Sequence, residues 1–332
     1  MVNKVFNTPV MILRKKMEGE NSIEELAYTL TKQMDIPLIT LPEYSSSIRG
    51  LRANIQFIKN IDAPVLHFFS TEAYLLPFAK GKKIITYHDL GTIFNSRNEL
   101  YRIIRKFLFI YPSKYWADAI TFISNESMKE YIGFTHYKKK NKLSVIYNPF
   151  NPRLLKIERR GDSNLIFTIL HIGTALRKNL ISTIKACVGL DVELVIIGKL
   201  LDEQRNLLES EGIQFRNYVD ISFEEVMQQY SYCDIVSFPS SYEGFGMPII
   251  EANAVGKPIF VGDIPILHEI GGEAVVYVDP HDIDEIRKII LQLKNDSEFR
   301  NSLIEKGKEN IKRFEISSIT QMYLDLYEGI VQ

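Results

Sequence analysis

Short apolar runs alternate along this chain with segments of helical periodicity. In the first half the runs fall at residues 9–13, 36–40, 65–69, 83–87, 119–123 and 143–146, each of strand length. In the second half they fall at 165–171, 193–197, 214–218, 235–238, 258–261 and 275–278. Helical patterns such as 22–33 and 100–109 separate several of them. The alternation predicts an α/β protein with parallel sheets and helices on both faces. A length of 332 residues suits two domains of roughly 150 each. The polar stretch 156–164 is the expected linker, giving domains 1–155 and 156–316. Residues 317–332 form an amphipathic tail, with Ile319, Met322, Tyr323, Leu326 and Ile330 on helical spacing. Two doubly wound sheets predict a ligand crevice at the carboxyl ends of their strands.

The densest chemistry lies in Pro239-Ser-Ser-Tyr-Glu-Gly-Phe-Gly-Met-Pro-Ile-Ile-Glu251. The run 235–238 before it has the composition of a buried strand, and Pro248 suits the first turn of a helix. A strand, a glycine-bearing loop and a helix N-terminus together expose backbone N–H groups to an anion. Gly244 and Gly246 let a ligand approach the main chain closely. Glu243 falls in the loop and Glu251 about one turn into the helix. An ionised carboxylate accepts hydrogen bonds from neighbouring hydroxyls, so sugar or ribose is the expected ligand. A plain solvated loop is the competing account of these residues alone.

His171-Ile-Gly-Thr-Ala-Leu-Arg-Lys-Asn179 is a second strand–turn–helix segment. Arg177 and Lys178 lie near its helix N-terminus, where cations are unfavourable unless an anion is bound. Tyr87-His88-Asp89-Leu90 closes a strand in the first half. Asp282-Ile-Asp284 has the spacing of a metal motif but opens a helical pattern, so N-capping is expected there and no metal site.

These segments resemble the signature of retaining glycosyltransferases of family 4. The resemblance extends through Ala254-Val-Gly-Lys-Pro-Ile-Phe260, Gly262-Asp-Ile-Pro265, His268-Glu-Ile-Gly-Gly272 and Val278-Asp-Pro280. It implies the GT-B architecture, two Rossmann-like domains with a cleft between them and a C-terminal helix crossing back to the first. It implies a nucleotide-sugar donor (a UDP- or GDP-sugar) on the C-terminal domain and a glycan or lipid-linked acceptor on the N-terminal one. No cofactor follows from it. By resemblance, Glu243, Lys178, Arg177 and His88 are the catalytic set, with both cations on the leaving diphosphate. Gly173, Thr174, Val219, Gly244, Phe245, Gly246, Met247 and Glu251 bind the donor, Glu251 through the ribose. Gly19 and Asp89 fall on the acceptor side, and Ser124 and Asn148 match further landmarks. Three departures stand out. Thr174 occupies a position where arginine is frequent, Gly19 stands where two glycines are common, and Asn148-Pro149-Phe150 replaces Asn-Gly-Val.

Bulk properties narrow the setting. Cys187 and Cys233 form no closely spaced metal pair and lie in apolar surroundings, as buried thiols in a reducing compartment would. No signal peptide or 20-residue apolar span is evident, so a cytoplasmic protein, free or peripheral to a membrane, is expected. Residues 1–150 carry 21 Lys and Arg against 13 Asp and Glu, and the rest 19 against 28. The basic half suits an anionic membrane, an acidic acceptor or plain solvated surface. Residues 97–116 mix Arg102, Arg105 and Lys106 with large apolar side chains, fitting either a lipid-facing helix or one whose apolar face is core. No nucleic-acid partner is expected. The expected activity is sugar transfer in surface polysaccharide or lipopolysaccharide synthesis, the alternative a noncatalytic nucleotide-sugar-binding subunit on the same fold.

Overall fold

A computed structural model describes residues 4–16, 22–88, 90–91, 99–157 and 166–332. Gly19 and Asp89 lie outside the described residues, as does most of the expected linker. Residues Met1–Pro149 and Ile316–Gln332 form one compact unit, and Phe150–Glu315 form another.

The strands of the first unit are β1 (Lys4–Val5), β2 (Val10–Leu13), β3 (Leu38–Thr40), β4 (Ile61–Asp62), β5 (Val65–Phe68), β6 (Lys82–Tyr87), β7 (Ala119–Phe122) and β8 (Leu143–Val145). Six of them make a parallel sheet in the order β3-β2-β5-β6-β7-β8, and β1 pairs with β4 in a separate ladder. The second unit holds β9 (Phe167–Ile172), β10 (Val192–Ile197), β11 (Gln214–Tyr218), β12 (Ile235–Phe238), β13 (Ile259–Gly262) and β14 (Val276–Val278). These form a parallel sheet in the order β11-β10-β9-β12-β13-β14. Strands β2, β5, β7, β12 and β13 are buried along their whole length, which is why they are apolar without alternation. Edge strands β8 and β11 are only partly covered and carry polar residues.

Each sheet reverses its winding once. In the first unit the switch lies between β2 and β5, and in the second between β9 and β12. Loops leaving those neighbouring strands diverge, opening a crevice at their carboxyl ends.

The helix Ile316–Val331 completes the first unit. It buries Ile319, Thr320, Tyr323 and Tyr327 among side chains of β2 and of the helix Ser22–Met34. Met322, expected on the buried face, is 44% exposed. The face is rotated toward Tyr327, whose hydroxyl bonds Nδ1 of buried His67 at 2.7 Å. His67 Nε2 in turn meets Thr86 Oγ1 at 2.6 Å. A buried imidazole needs both partners, and that requirement outweighs the burial of one methionine. Cys187 and Cys233 are buried, and burial pushes both thiols up to about 12. Among the described residues, no helix is long and apolar enough to cross a membrane.

Candidate active site

The chemistry of the second unit gathers at its switch point. Strand β9 gives way to Gly173, whose φ of +91° is open to glycine, and a Cβ there would press on the Lys178 side chain at 3.0 Å. The chain then makes a short 3-10 turn, Leu176–Lys178, and enters the helix Leu180–Cys187 through Asn179 in the left-handed region. From the adjacent strand β12, the loop of residues 239–246 ends on Gly246, φ +106°, before the helix Met247–Val255. Pro248 sits in that helix's first turn and Gly256 closes it in the left-handed region.

Sixty-odd residues of sequence separate the two loops, yet their side chains interlock. Glu243 Oε1 accepts from Arg177 Nη1 at 2.7 Å and lies 2.7 Å from Lys178 Nζ. Arg177 also donates to the Tyr242 carbonyl at 3.2 Å, and Ser241 N donates to the Arg177 carbonyl at 2.9 Å. Lys178 Nζ stands 4.6 Å from the centre of the Phe238 ring. The Glu243 side chain is 8% exposed, Lys178 14% and Arg177 44%. Burial pushes the Lys178 ammonium down, and the charges of Glu243 and Glu251 pull it back up. Two cations thus share one carboxylate oxygen beside a second carboxylate.

That second carboxylate is Glu251, whose Oε2 accepts from the hydroxyl of fully buried Tyr230 at 2.7 Å. Burial raises the Glu251 carboxyl, opposed by the Tyr230 hydrogen bond and the Lys178 charge. Thr174 is fixed by its neighbours: Oγ1 donates to the Lys199 carbonyl at 2.6 Å, and Gln204 Nε2 donates to the Thr174 carbonyl at 2.8 Å. Val219, just past β11, is 43% exposed. The Phe245 side chain is buried against Phe314, rings 5.9 Å apart, so only its backbone faces the loop's ligand side. Beneath the switch point lies a chain of buried polar groups that the sequence patterns did not single out. His171 Nδ1 meets Ser237 Oγ at 3.2 Å, and Ser237 Oγ meets Thr183 Oγ1 at 2.9 Å. Burial, then the Lys178 charge, holds the His171 imidazole down to about 3.

In the first unit, His88 follows β6 and packs edge-on against Phe69, rings 4.4 Å apart. Burial, then the charge of Arg14, holds its imidazole down to about 3. Glu72 is 5% exposed, and burial raises its carboxyl against hydrogen bonds from Ser70 and Ser45 and the Arg14 charge. Arg14 Nε lies 3.5 Å from Glu24 Oε1. His88 Nε2, Glu72 Oε2 and both Glu24 carboxylate oxygens are buried with no hydrogen-bond partner among the described residues. Sequence reasoning named only His88 here. The available signal for Arg14 and Glu72 was position, since each stands within a few residues of a strand's carboxyl end at the β2–β5 switch.

Among the described residues, no cluster of three or more His, Cys, Asp or Glu could hold a metal ion. Asp282 caps the helix Ile283–Asn295, accepting from Glu285 N at 2.9 Å.

The fold has counterparts among known proteins. HepE of Anabaena, solved with UDP and glucose, superposes with a TM-score of 0.78 at 15% identity, over 97% of this chain and 100% of that one. WaaG, a glycosyltransferase involved in lipopolysaccharide biosynthesis, superposes with a TM-score of 0.76 at 12% identity, over 96% and 100%. The fold is therefore that of the GT-B glycosyltransferases. Residues 156–310 match the family described as glycosyl transferases group 1. The O-antigen chain mannosyltransferase RfbU of Salmonella typhimurium is 27% identical over 260 residues, 76% of this chain and 70% of that protein. The serotype-specific mannosyltransferase WbdA of Escherichia coli is 25% identical over 240 residues, 65% of this chain and 29% of that protein. Residues 156–310 of this chain, which hold the Arg177–Glu243–Lys178 cluster and Glu251, are thus similar to the glycosyl transferases of group 1, an enzyme family.

Proposed function

We propose that this enzyme transfers a sugar with retention of configuration, without a metal ion, from a UDP- or GDP-sugar to a glycan or glycolipid. The setting is surface polysaccharide or lipopolysaccharide synthesis in the cytoplasm. The mannosyltransferase names of its relatives favour a mannosyl donor. The observation that carries the reading is the Arg177–Glu243–Lys178 cluster at the second unit's switch point, beside the Tyr230–Glu251 pair.

In this reading Glu251 accepts the two ribose hydroxyls, and the loop around Gly244–Met247 with Gly173 and Thr174 lines the diphosphate and sugar. Lys178 and Arg177 meet the negative charge that grows on the phosphate as the sugar–phosphate bond breaks. Glu243 holds both cations in place and takes sugar hydroxyls with its remaining lone pairs. A carboxylate shared by two cations is a poor nucleophile, which favours displacement on one face of the sugar over a covalent intermediate. The acceptor oxygen forms the new bond while its proton passes to the departing phosphate oxygen. His88, neutral at physiological pH, is assigned to the sugar near the reacting carbon. Both oxygens of Glu24 and Oε2 of Glu72 take no hydrogen bond among the described residues, and so have the capacity an acceptor's hydroxyls require.

A thermal-shift screen against UDP, GDP and ADP and their sugars tests the donor. The true donor at about 100 times its dissociation constant stabilises by ~2.7 kcal/mol. Nuclear magnetic resonance of the product then reads the anomeric configuration. No shift with any nucleotide sugar, or an inverted product, overturns the proposal.

A further inference from the structure

The crevice at the carboxyl ends of β2, β5 and β6 holds more hydrogen-bond acceptors than the fold uses. Arg14 follows β2, Glu72 lies a few residues past β5, and His88 follows β6. The Arg14 charge acts on both Glu72 and His88, and its Nε lies 3.5 Å from Oε1 of Glu24 in the first turn of the helix Ser22–Met34. Glu72 is 5% exposed and His88 7%. Yet Glu72 Oε2, His88 Nε2 and both Glu24 oxygens take no hydrogen bond among the described residues. The neutral His88 ring donates to the Phe69 backbone, which leaves Nε2 as a lone-pair acceptor. Four buried atoms thus stand as acceptors around one guanidinium. Leaving such groups unpaired costs stability, and a ligand rich in hydrogen-bond donors would satisfy them.

Charge narrows the ligand further. Two carboxylates against Arg14 leave the group net negative. The next cation, Lys15, is engaged elsewhere: its Nζ lies 3.4 Å from Glu43 Oε2 and 4.8 Å from the centre of the Tyr44 ring. Tyr44 is 43% exposed, with its hydroxyl tied to the Lys16 carbonyl at 3.0 Å. The adjacent Ser45 hydrogen-bonds both the Tyr74 hydroxyl, at 3.0 Å, and Glu72. A tethered, half-exposed aromatic ring beside unpaired acceptors suits a sugar, which has an apolar ring face and an edge of hydroxyls. A carboxylate or phosphate would instead meet like charge in a poorly screened place. Glu72 is the more deeply buried of the two carboxylates, so its charge is the less screened. We infer, on the reading of sugar transfer above, that this crevice selects the acceptor by charge. It takes a sugar presenting hydroxyl or amino groups and excludes one bearing a carboxylate or phosphate, with Glu72 the residue that discriminates.

Matched sets of methyl glycosides test this. The probes are the methyl glycosides of glucose, galactose and mannose, their 2-amino counterparts and the corresponding uronic acids. Binding to the full chain, with UDP or GDP present, is read by saturation-transfer nuclear magnetic resonance and titration. The expected result is that at least one neutral hexoside binds, its amino counterpart binds as well or better, and its uronic acid binds at least about tenfold more weakly. Glu72→Gln keeps the side chain's shape and removes its charge, so it brings hexoside and uronic acid to within about threefold of each other. Glu24→Gln, at the less buried carboxylate, narrows the gap less. The parent's ranking needs no variant, so a Glu72→Gln chain that fails to fold leaves the test standing. Uronic acids bound as tightly as the hexosides, an unchanged gap in folded Glu72→Gln, or no hexoside bound at all overturns the inference. Nucleotide-sugar binding by the parent is read separately by thermal shift. A parent that binds no nucleotide sugar overturns sugar transfer as well, whereas one that binds it and ranks the glycosides wrongly overturns the charge selection alone.

Discussion

Replacing Glu251 with Ala separates a binding role from a chemical one. In the free protein the change strands the Tyr230 hydroxyl, which is fully buried and donates to Glu251 Oε2 at 2.7 Å. An unsatisfied buried hydroxyl costs about 1–3 kcal/mol, so the urea midpoint falls. Tyr230→Phe removes the same bond from the other side, and the half-buried carboxylate recovers part of the loss from water, so its cost is about 1 kcal/mol. The double variant strands nothing, and the cycle shows a coupling of about 1–2 kcal/mol. With nucleotide present, Glu251→Ala loses hydrogen bonds to a charged acceptor worth about 1.5–3 kcal/mol, a 10–150-fold loss of affinity by calorimetry. Turnover at saturating donor changes only a few-fold. Because the Tyr230 bond opposes the rise that burial imposes on the Glu251 carboxyl, Tyr230→Phe raises that carboxyl further. Only the ionised carboxylate accepts both hydroxyls, so nucleotide affinity falls with acidification, and in Tyr230→Phe it falls at higher pH. Unchanged nucleotide affinity in Glu251→Ala would refute the ribose assignment, and an additive cycle would refute the bond.

Three further outcomes are expected. Lys178→Ala lowers turnover by roughly 10²–10³-fold with a smaller effect on donor affinity, because the charge it meets grows in the transition state; steady-state rates within about twofold of the parent rule that out. Activity persists in EDTA, and complete loss restored by Mg²⁺ or Mn²⁺ contradicts the proposed route. Gly246→Ala forces a Cβ to 2.7 Å from Leu267 Cδ2 at a φ of +106°, costing at least about 1–2 kcal/mol of stability in urea melts; an unchanged midpoint shows the loop relaxing freely. Burial holds His67, His88 and His171 down to about 3, so each favours the folded state above its ordinary value near 6.5, and that stability is lost as pH falls from there toward 3. Up to three protons taken up on unfolding give a slope of up to about 4 kcal/mol per pH unit, and a flat urea midpoint between about pH 7 and pH 5 contradicts it.

The strands were legible because parallel sheets bury their centres on both faces. Ile235–Phe238 and Gln214–Tyr218 fall where the apolar runs place them. Strands β1 and β4 were not, since two residues carry no periodicity. Glu243, Lys178 and Arg177 were each legible as candidate site residues, but their sharing of one oxygen was not. It arises because β9 and β12 are sheet neighbours, and nothing local encodes that. Tyr230 went unnoticed for the same reason, its partner lying a strand and a loop away. The 100–109 pattern fitted lipid contact and core equally well, because periodicity shows that a helix has two faces and not which one the fold covers. Met322 shows the converse limit: helical spacing located the buried arc only approximately, and a hydroxyl needed by His67 set its final rotation.

The interruption of the first unit by the second has a consequence for synthesis. Everything from Phe150 to Glu315 leaves the ribosome before Tyr323 and Tyr327, which His67 and the β2 core require. At about 5–20 residues per second, the earlier-made sheet waits on the order of ten seconds or more for its last helix. The inserted unit is therefore complete before the N-terminal one, which lacks its last helix until the end of synthesis. A translational pause late in the message would lengthen that exposure, so synonymous codon changes there should alter soluble yield while leaving the finished enzyme's stability untouched.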